Sequence, residues 1–220
     1  MPTELEVQSE QLLTAVVEMG ERADAMLDDA LRAVASGDPV VAQAVIDADQ
    51  AVDRGYERVQ HGVLAVVALH GPVGHDLRLL TALIHVSLHA ERMGDYAVNV
   101  ARTAEQVARM AADDDLTEQL VEMGQLAREV SRTALRSFVE GDVELARSVG
   151  SLDDGVDRLN VGIFRRLVRL AAEDETQLEW ATWMIGVARQ LERYADHGVD
   201  IAEQTLFVAT GEVIGLSSQG

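Results

Sequence analysis

Apolar residues along this chain recur at intervals of three and four positions, the period of an amphipathic α-helix. Leu77, Leu80, Ile84 and Leu88 form one such stripe. The whole chain contains only 3 prolines, so few positions interrupt a helix. The pattern predicts an all-α fold built from long helices.

Glycine and aspartate residues mark the boundaries between the predicted helices. A glycine just after a helix and an aspartate just before the next are common stop and start signals, and they occur together at Gly37-Asp38 and at Gly141-Asp142. Gly71-Pro72 gives a further break. Helix 1 is predicted to end near residue 35, helix 2 to span 39–70, helix 3 to span 73–112, helix 4 to end at Gly141, helix 5 to follow Asp142 and helix 6 to follow Glu173-Asp174.

The second half of the chain repeats the first. Residues 17–20, Val-Glu-Met-Gly, recur at 121–124 with an offset of 104, whereas Glu91-Arg92 recurs as Glu192-Arg193 with an offset of 101. The change of offset indicates a deletion of three residues in the loop before helix 6. The repeat predicts two tandem three-helix bundles, residues 1–112 and 113–212, followed by a flexible tail at 213–220.

The repeat preserves acidic residues four positions apart, a spacing that places both side chains on one helix face. Helices 2 and 3 are predicted neighbours, as are helices 5 and 6, so each bundle brings four to five oxygen-bearing side chains together. The set is Asp49, Asp53, Glu91, Asp95 and Asn99 in the first half and Asp153, Asp157, Glu192, Asp196 and Asp200 in the second.

These carboxylates continue the apolar stripes of their helices, which places them near the grooves between helices. Unpaired carboxylates at such positions raise one another's pKa values, and a bound cation removes their repulsion. Oxygen ligands suit Mg²⁺, Ca²⁺, Mn²⁺ or iron. Two other interpretations stay open: the acidic pairs are solvated, or they form ion pairs with Arg54, Arg92, Arg158 and Arg193.

The chain is strongly acidic, with a formal net charge of −20, and its 18 basic residues are all arginine. Such a chain is repelled by phosphate backbones and by anionic lipid, so we expect no direct binding to nucleic acid. Cysteine is absent. Disulfides and thiolate metal sites are thereby excluded, and the composition is compatible with the cytosol.

The segment Met1–Glu6 lacks the basic and apolar regions of a signal peptide. The longest apolar run, Val63–Leu69, is too short to span a membrane. We therefore expect a cytoplasmic protein that reaches a membrane only through a partner.

Sequence motifs of several enzyme classes are missing from the chain. It has no Glu-x-x-His spacing of the ferritin-like di-iron bundles, no His-Glu-x-x-His, no phosphate-binding glycine loop and no nucleophile elbow. The 6 histidines favour structural or surface roles, although His197, beside Asp196, is placed where it could bind a metal. We expect a protein that is not an enzyme.

The segment Glu91–Ala101, ERMGDYAVNVA, preceded by Pro72 and Asp76-Leu77-Arg78, resembles the signature of the PhoU family. Residues 191–202, LERYADHGVDIA, resemble the same motif a second time. The resemblance covers nearly the whole chain, including Ala209–Glu212. In the second copy Ala195 replaces the glycine of the motif and Asp200 replaces the commoner asparagine.

The PhoU resemblance implies an accessory protein of the phosphate-specific ABC transporter that acts as a negative regulator of the phosphate-starvation response. It implies two partners, the ATPase subunit of the transporter and a phosphate-sensing histidine kinase, and also a homodimer. It further implies iron, manganese, magnesium or zinc ions bound by the ten residues of the set above. The alternatives are an accessory protein of another anion transporter, a carboxylate-bundle metalloenzyme, and a scaffold whose carboxylates pair with arginine.

Overall fold

A computed structural model describes residues 2–216 of the chain. Over this range the chain forms helices joined by short loops, with no β-strand. The helices are α1 (Glu4–Ser36), α2 (Pro39–His70), α3 (His75–Val107), α4 (Asp114–Glu140), α5 (Val143–Glu173) and α6 (Leu178–Thr210), with a short 3₁₀ helix at Glu175–Gln177 before α6. The predicted all-α fold is confirmed.

The repeated glycine-aspartate boundaries act as the sequence predicts. Gly37 and Gly141 end α1 and α4 in the left-handed conformation, with φ of 65° and 64°. Asp38 then accepts a hydrogen bond from the Val40 backbone N–H, and Asp142 accepts one from that of Leu145. Each pair therefore satisfies helix-end groups that would otherwise have no partner.

The limits of α3 differ from the predicted span of 73–112. The helix begins at His75, because Gly74 before it has a positive φ of 60°. It ends at Val107, where the Met110 N–H donates to the Val107 carbonyl in a final turn. The alanine-rich sequence after Val107 keeps a helical composition and offers no glycine stop, so pattern alone did not locate this end.

The six helices pack as two groups of three. α1, α2 and α3 contact one another, as do α4, α5 and α6, and the groups meet through α1 against α4 and α3 against α6. The α1–α4 contact is symmetric. A Cβ on Gly20 would meet Leu135, and a Cβ on Gly124 would meet Leu31. Gly124 is the repeat equivalent of Gly20, and Leu135 is the repeat equivalent of Leu31, both with the offset of 104. The two repeats are thus related by a pseudo-twofold axis, the arrangement of an isologous interface.

The chain after α6 turns back toward the helices. Ile214 and Leu216 pack against the core, and the Leu216 N–H donates to Glu203 Oε1 at 2.7 Å. Residues 217–220 of the tail predicted at 213–220 lie outside the described residues. Among residues 2–216, none of the helices is both long enough and apolar enough to cross a membrane.

Candidate functional site

The four predicted carboxylates of the first bundle lie near one another across the groove between α2 and α3, although no three of them place an oxygen within 4.8 Å of the other two. Burial raises the pKa of Asp49, and the negative charges of Asp53 and Asp95 raise it further, while Arg102 lowers it. Burial also raises the pKa of Glu91, with added contributions from the other three carboxylates. Charges on two helices affect one another in this way only at short range.

Gly94 on α3 leaves space for the carboxylate of Asp49 on α2. A Cβ on Gly94 would lie 3.3 Å from Asp49 Oδ1, which is tighter than nine in ten real Cβ contacts. The glycine of the repeated motif therefore allows the two helices to approach at the carboxylates. At the equivalent position of the second bundle, Ala195 is fully buried.

The second bundle has the same arrangement between α5 and α6, with large pKa shifts. Burial raises the pKa of Asp153 to about 7, aided by the charges of Asp157 and Asp196. Asp196 is exposed overall, but the partial burial of its carboxyl raises its pKa to about 6, aided by the charges of Glu192 and Asp157. At neutral pH this cluster therefore holds carboxylates that are not fully ionised unless a positive charge is supplied.

Two oxygens in these clusters are buried and lack a hydrogen-bond partner, Glu91 Oε2 and Asp153 Oδ1. The nearest cationic group to Glu91 Oε2 is Arg92 Nε at 3.6 Å, an ion-pair distance that is too long for a hydrogen bond. Buried polar atoms without partners are uncommon, and a bound cation is an ordinary way to satisfy them. The oxygen-rich donor sets fit Mg²⁺, Mn²⁺ or iron, and zinc also accepts carboxylate ligands.

Ion pairing with arginine accounts for only part of the carboxylate set. Arg92 pairs with Asp95 at 3.3 Å and with Glu91 at 3.6 Å, and its side chain is half exposed. Within the described part of the chain, Arg54, Arg158 and Arg193 form no ion pair with a predicted ligand. Among the described residues, the predicted ligands Asp153, Asp157, Glu192 and Asp196 have no arginine ion pair, although Asp115 and Glu144 of the same bundle do.

Asn99 and Asp200, the last members of the two predicted sets, face the α3–α6 seam, the contact through which the two bundles meet. Asn99 lines a groove there with Trp183 and Gln190. Asp200 Oδ2 lies 3.2 Å from His197 Nδ1 and 3.4 Å from His89 Nδ1. Burial alone would raise the pKa of Asp200, but the hydrogen bond with His197 and the nearby imidazoles hold it below its usual value.

His89 is the residue of this region that the sequence did not point to. It has no histidine equivalent in the second half, and helical spacing does not reveal what lies across a seam. Burial lowers its pKa to about 4, so the imidazole is neutral at pH 7. Among residues 2–216, only His89, His197 and Asp200 bring three potential ligand atoms within 4.8 Å of one another.

Comparison with known proteins gives a consistent result over both halves of the chain. The family model of the PhoU domain matches residues 16–104 and 120–205. The phosphate-specific transport system accessory protein PhoU homolog of Xylella fastidiosa (strain 9a5c) is 33% identical over 202 residues, covering 92% of this chain and 85% of the relative. The protein of the same name from Caulobacter vibrioides (strain NA1000 / CB15N) is 31% identical over 201 residues, covering 91% and 87%.

Solved structures agree with this result. The crystal structure of PhoU from Pseudomonas aeruginosa matches with a TM-score of 0.88 at 26% identity, covering 95% of this chain and 100% of that one. The phosphate transport system regulatory protein PhoU from Streptococcus pneumoniae has the same TM-score at 24% identity and shows the same fold.

Proposed function

Because the chain belongs to the PhoU family, whose members are accessory and regulatory proteins rather than enzymes, we propose that it regulates phosphate uptake and phosphate-starvation signalling in the cytoplasm. The observation that carries the proposal is the family match over both repeats, together with relatives named as accessory proteins of phosphate-specific transport. In this role the protein acts by association, changing the activity of the partners it contacts.

The proposed partners are the ATPase subunit of the phosphate ABC transporter and a phosphate-sensing histidine kinase. A net charge of −20 supports binding to basic surfaces on such partners, since complementary charge speeds association. The test is co-purification from cells grown in high phosphate, with low-phosphate and high-sulfate cultures as comparisons. We expect the ATPase subunit or the kinase to be recovered. Recovery of neither contradicts this part of the proposal, and recovery of another anion transporter favours the alternative accessory role.

Each bundle is further proposed to hold metal ions through its carboxylates, Asp49, Asp53, Glu91 and Asp95 in one and Asp153, Asp157, Glu192 and Asp196 in the other. Asn99 and Asp200 stay predicted members of these sets. A bound ion would supply positive charge that keeps the carboxylates ionised and fixes the two helices against each other. The partnerless oxygens Glu91 Oε2 and Asp153 Oδ1 support this proposal.

Metal content tests the carboxylate sites directly. Protein purified without chelator or affinity-tag metal should contain iron, manganese, magnesium or zinc, and Asp49→Asn and Asp153→Asn should each lower the content. Asp47→Asn, which changes an exposed carboxylate on the same helix as Asp49, should leave it unchanged. Metal-free protein that shows no thermal shift with Mn²⁺, Fe²⁺ or Mg²⁺ would count against these sites.

A homodimer completes the proposal, on the strength of the family alone. Sedimentation equilibrium of the purified chain measures the mass of the assembly. A mass of 23.9 kDa, that of one chain, at all concentrations would contradict the homodimer.

A further inference from the structure

Three side chains from both bundles converge at the α3–α6 seam. His89 on α3 places its Nδ1 2.9 Å from Nδ1 of His197 on α6. Asp200 Oδ2, one turn beyond His197 on α6, lies 3.2 Å from His197 Nδ1 and 3.4 Å from His89 Nδ1. His89 and His197 are mostly buried, and Asp200 is partly exposed.

These three distances match the spacing of ligand atoms around one metal ion. Two atoms that lie about 2.0–2.1 Å from an ion, at angles between about 90° and 110°, are about 2.9–3.4 Å apart. An ion at about 2.0–2.1 Å from all three atoms would lie about 0.9 Å outside their plane. His197 and Asp200 also line a surface groove together with Tyr96, Arg193 and Asp196.

The protonation of the two imidazoles also suits an ion. At an Nδ1–Nδ1 distance of 2.9 Å both nitrogens cannot carry a proton, so at least one presents a lone pair toward the other two atoms. Imidazole and carboxylate together are ligands that zinc and neighbouring divalent transition metals accept, whereas Mg²⁺ prefers oxygen.

The pseudo-twofold axis provides an internal comparison. With the offset of 101, His89 corresponds to Gln190, His197 to Tyr96, and Asp200 to Asn99. Asn99 and Gln190 line a separate groove between α3 and α6. The lining of that groove contains no histidine and no carboxylate. The ligand-forming chemistry is therefore present on one side of the axis only, and the packing of the seam does not require it.

Tyr96 holds His197 in position. Its ring stacks on the imidazole with centroids 5.5 Å apart and an interplanar angle of 17°. Its hydroxyl lies 3.3 Å from His197 Nε2. When Nε2–H donates to this hydroxyl, Nδ1 is left with its lone pair free to bind, which is the usual outer-sphere support of a metal-bound histidine.

We propose that His89, His197 and Asp200 bind one divalent transition-metal ion of the zinc type and thereby join the two bundles. The site shares Asp200 with the predicted carboxylate set of the second bundle, but its two imidazole ligands lie outside that set.

The test uses the full chain, stripped of metal and then held in excess Mg²⁺ so that oxygen-only sites are occupied. Co²⁺ replaces Zn²⁺ as the titrant because its visible absorption reports imidazole ligands. We expect the wild type to bind one such Co²⁺. His89→Gln and Asp200→Asn, which introduce the residues already present across the axis, should each weaken binding at least tenfold. Tyr96→Phe keeps the stacked ring and should weaken it by about 10–100-fold.

Two controls separate this site from others. His75→Gln, which changes an exposed histidine at the start of α3, and Asp47→Asn, which changes an exposed carboxylate of α2, should leave the Co²⁺ spectrum unchanged. Zn²⁺ should raise the melting temperature of the wild type and not that of His89→Gln, because the ion joins α3 to α6. The proposal is overturned if the wild type shows no imidazole-type Co²⁺ spectrum, or if His89→Gln binds Co²⁺ as tightly as the wild type. The three side chains would then form a hydrogen-bonded cluster without a metal.

Discussion

Asp153 is the carboxylate whose ionisation depends most clearly on its surroundings. It is 9% exposed, its Oδ1 has no hydrogen-bond partner, and burial with the neighbouring carboxylates raises its pKa to about 7. Its equivalent, Asp49, faces Gly94, while the position that corresponds to Gly94 in the second bundle is Ala195. An added methyl group in this groove increases the apolar surroundings of the cluster and so favours the neutral acid.

The raised pKa of Asp153 predicts how the stability of the metal-free protein depends on pH. In the unfolded chain an aspartate ionises near pH 4, whereas folded Asp153 keeps its proton up to about pH 7. Its contribution to stability is therefore complete below about pH 4 and is lost as the pH rises to about 7. In EDTA, Asp153→Asn should exceed the wild type in stability at pH 8 by on the order of 1–3 kcal/mol, with a smaller difference at pH 5.

Thermal unfolding of both proteins across this pH range measures the difference. Asp47→Asn is the control, because its exposed side chain should give a curve parallel to that of the wild type. Parallel curves for Asp153→Asn as well would show that the carboxyl is ionised normally.

At the scale of helices, close contact depends on small residues at a few positions. In α6, a Cβ on Gly198 would lie 3.0 Å from Val130 Cγ1 and 3.1 Å from the Ser131 Cα of α4. Because the second of these atoms belongs to the backbone, it cannot turn aside as a side chain can. Gly186, in the same helix, has nothing within 4 Å of the same position.

The two glycines of α6 therefore predict opposite results. Gly198→Ala should destabilise the protein by about 1–3 kcal/mol, because α6 must move away from α4. Gly186→Ala should stabilise it by about 0.5–1 kcal/mol, because alanine favours the helix and meets no neighbour. Urea denaturation measures both free energies of unfolding. A gain in stability for Gly198→Ala would mean that the α4–α6 contact is looser than described.

At the scale of the whole molecule, the bundles are joined by a buried ion pair at the α1–α4 contact. Arg128 donates to both carboxylate oxygens of Asp24, at 3.0 Å and 2.9 Å, and also pairs with Asp28. Arg132 adds a contact to Asp24 at 2.7 Å. Asp24 and Arg128 are equivalent positions of the two repeats, so an acid in one copy meets a base in the other.

Removal of the Arg128 side chain tests how strongly this pair joins the bundles. Arg128→Ala leaves Asp24 buried with Arg132 as its remaining partner, and we expect a loss of about 3 kcal/mol. Arg58→Ala breaks the exposed pair with Glu18 and should change the stability by less than about 1 kcal/mol. The measurement is again denaturant unfolding, and similar losses for the two variants would contradict the structural role of Arg128.

The sequence determined the helices, most of their ends and the duplication of the chain. Helical period, glycine stops and aspartate caps are local properties, so Gly37-Asp38 and Gly141-Asp142 could be recognised without coordinates. The carboxylates were found for a related reason, because a spacing of four fixes a helix face and the repeat shows the pattern twice.

The tertiary structure alone decided what meets across the two bundles. Asp24 meets Arg128 about a hundred residues further along the chain, and His89 meets His197 and Asp200 over a similar separation. No local pattern links the residues that meet in either case. Their contacts depend on how whole helices are rotated and how closely they approach one another. Packing at positions such as Gly20, Gly124 and Gly198 sets both. The spacing of apolar residues along the sequence specifies which face of a helix is buried. It does not specify which residue of another helix that face will contact.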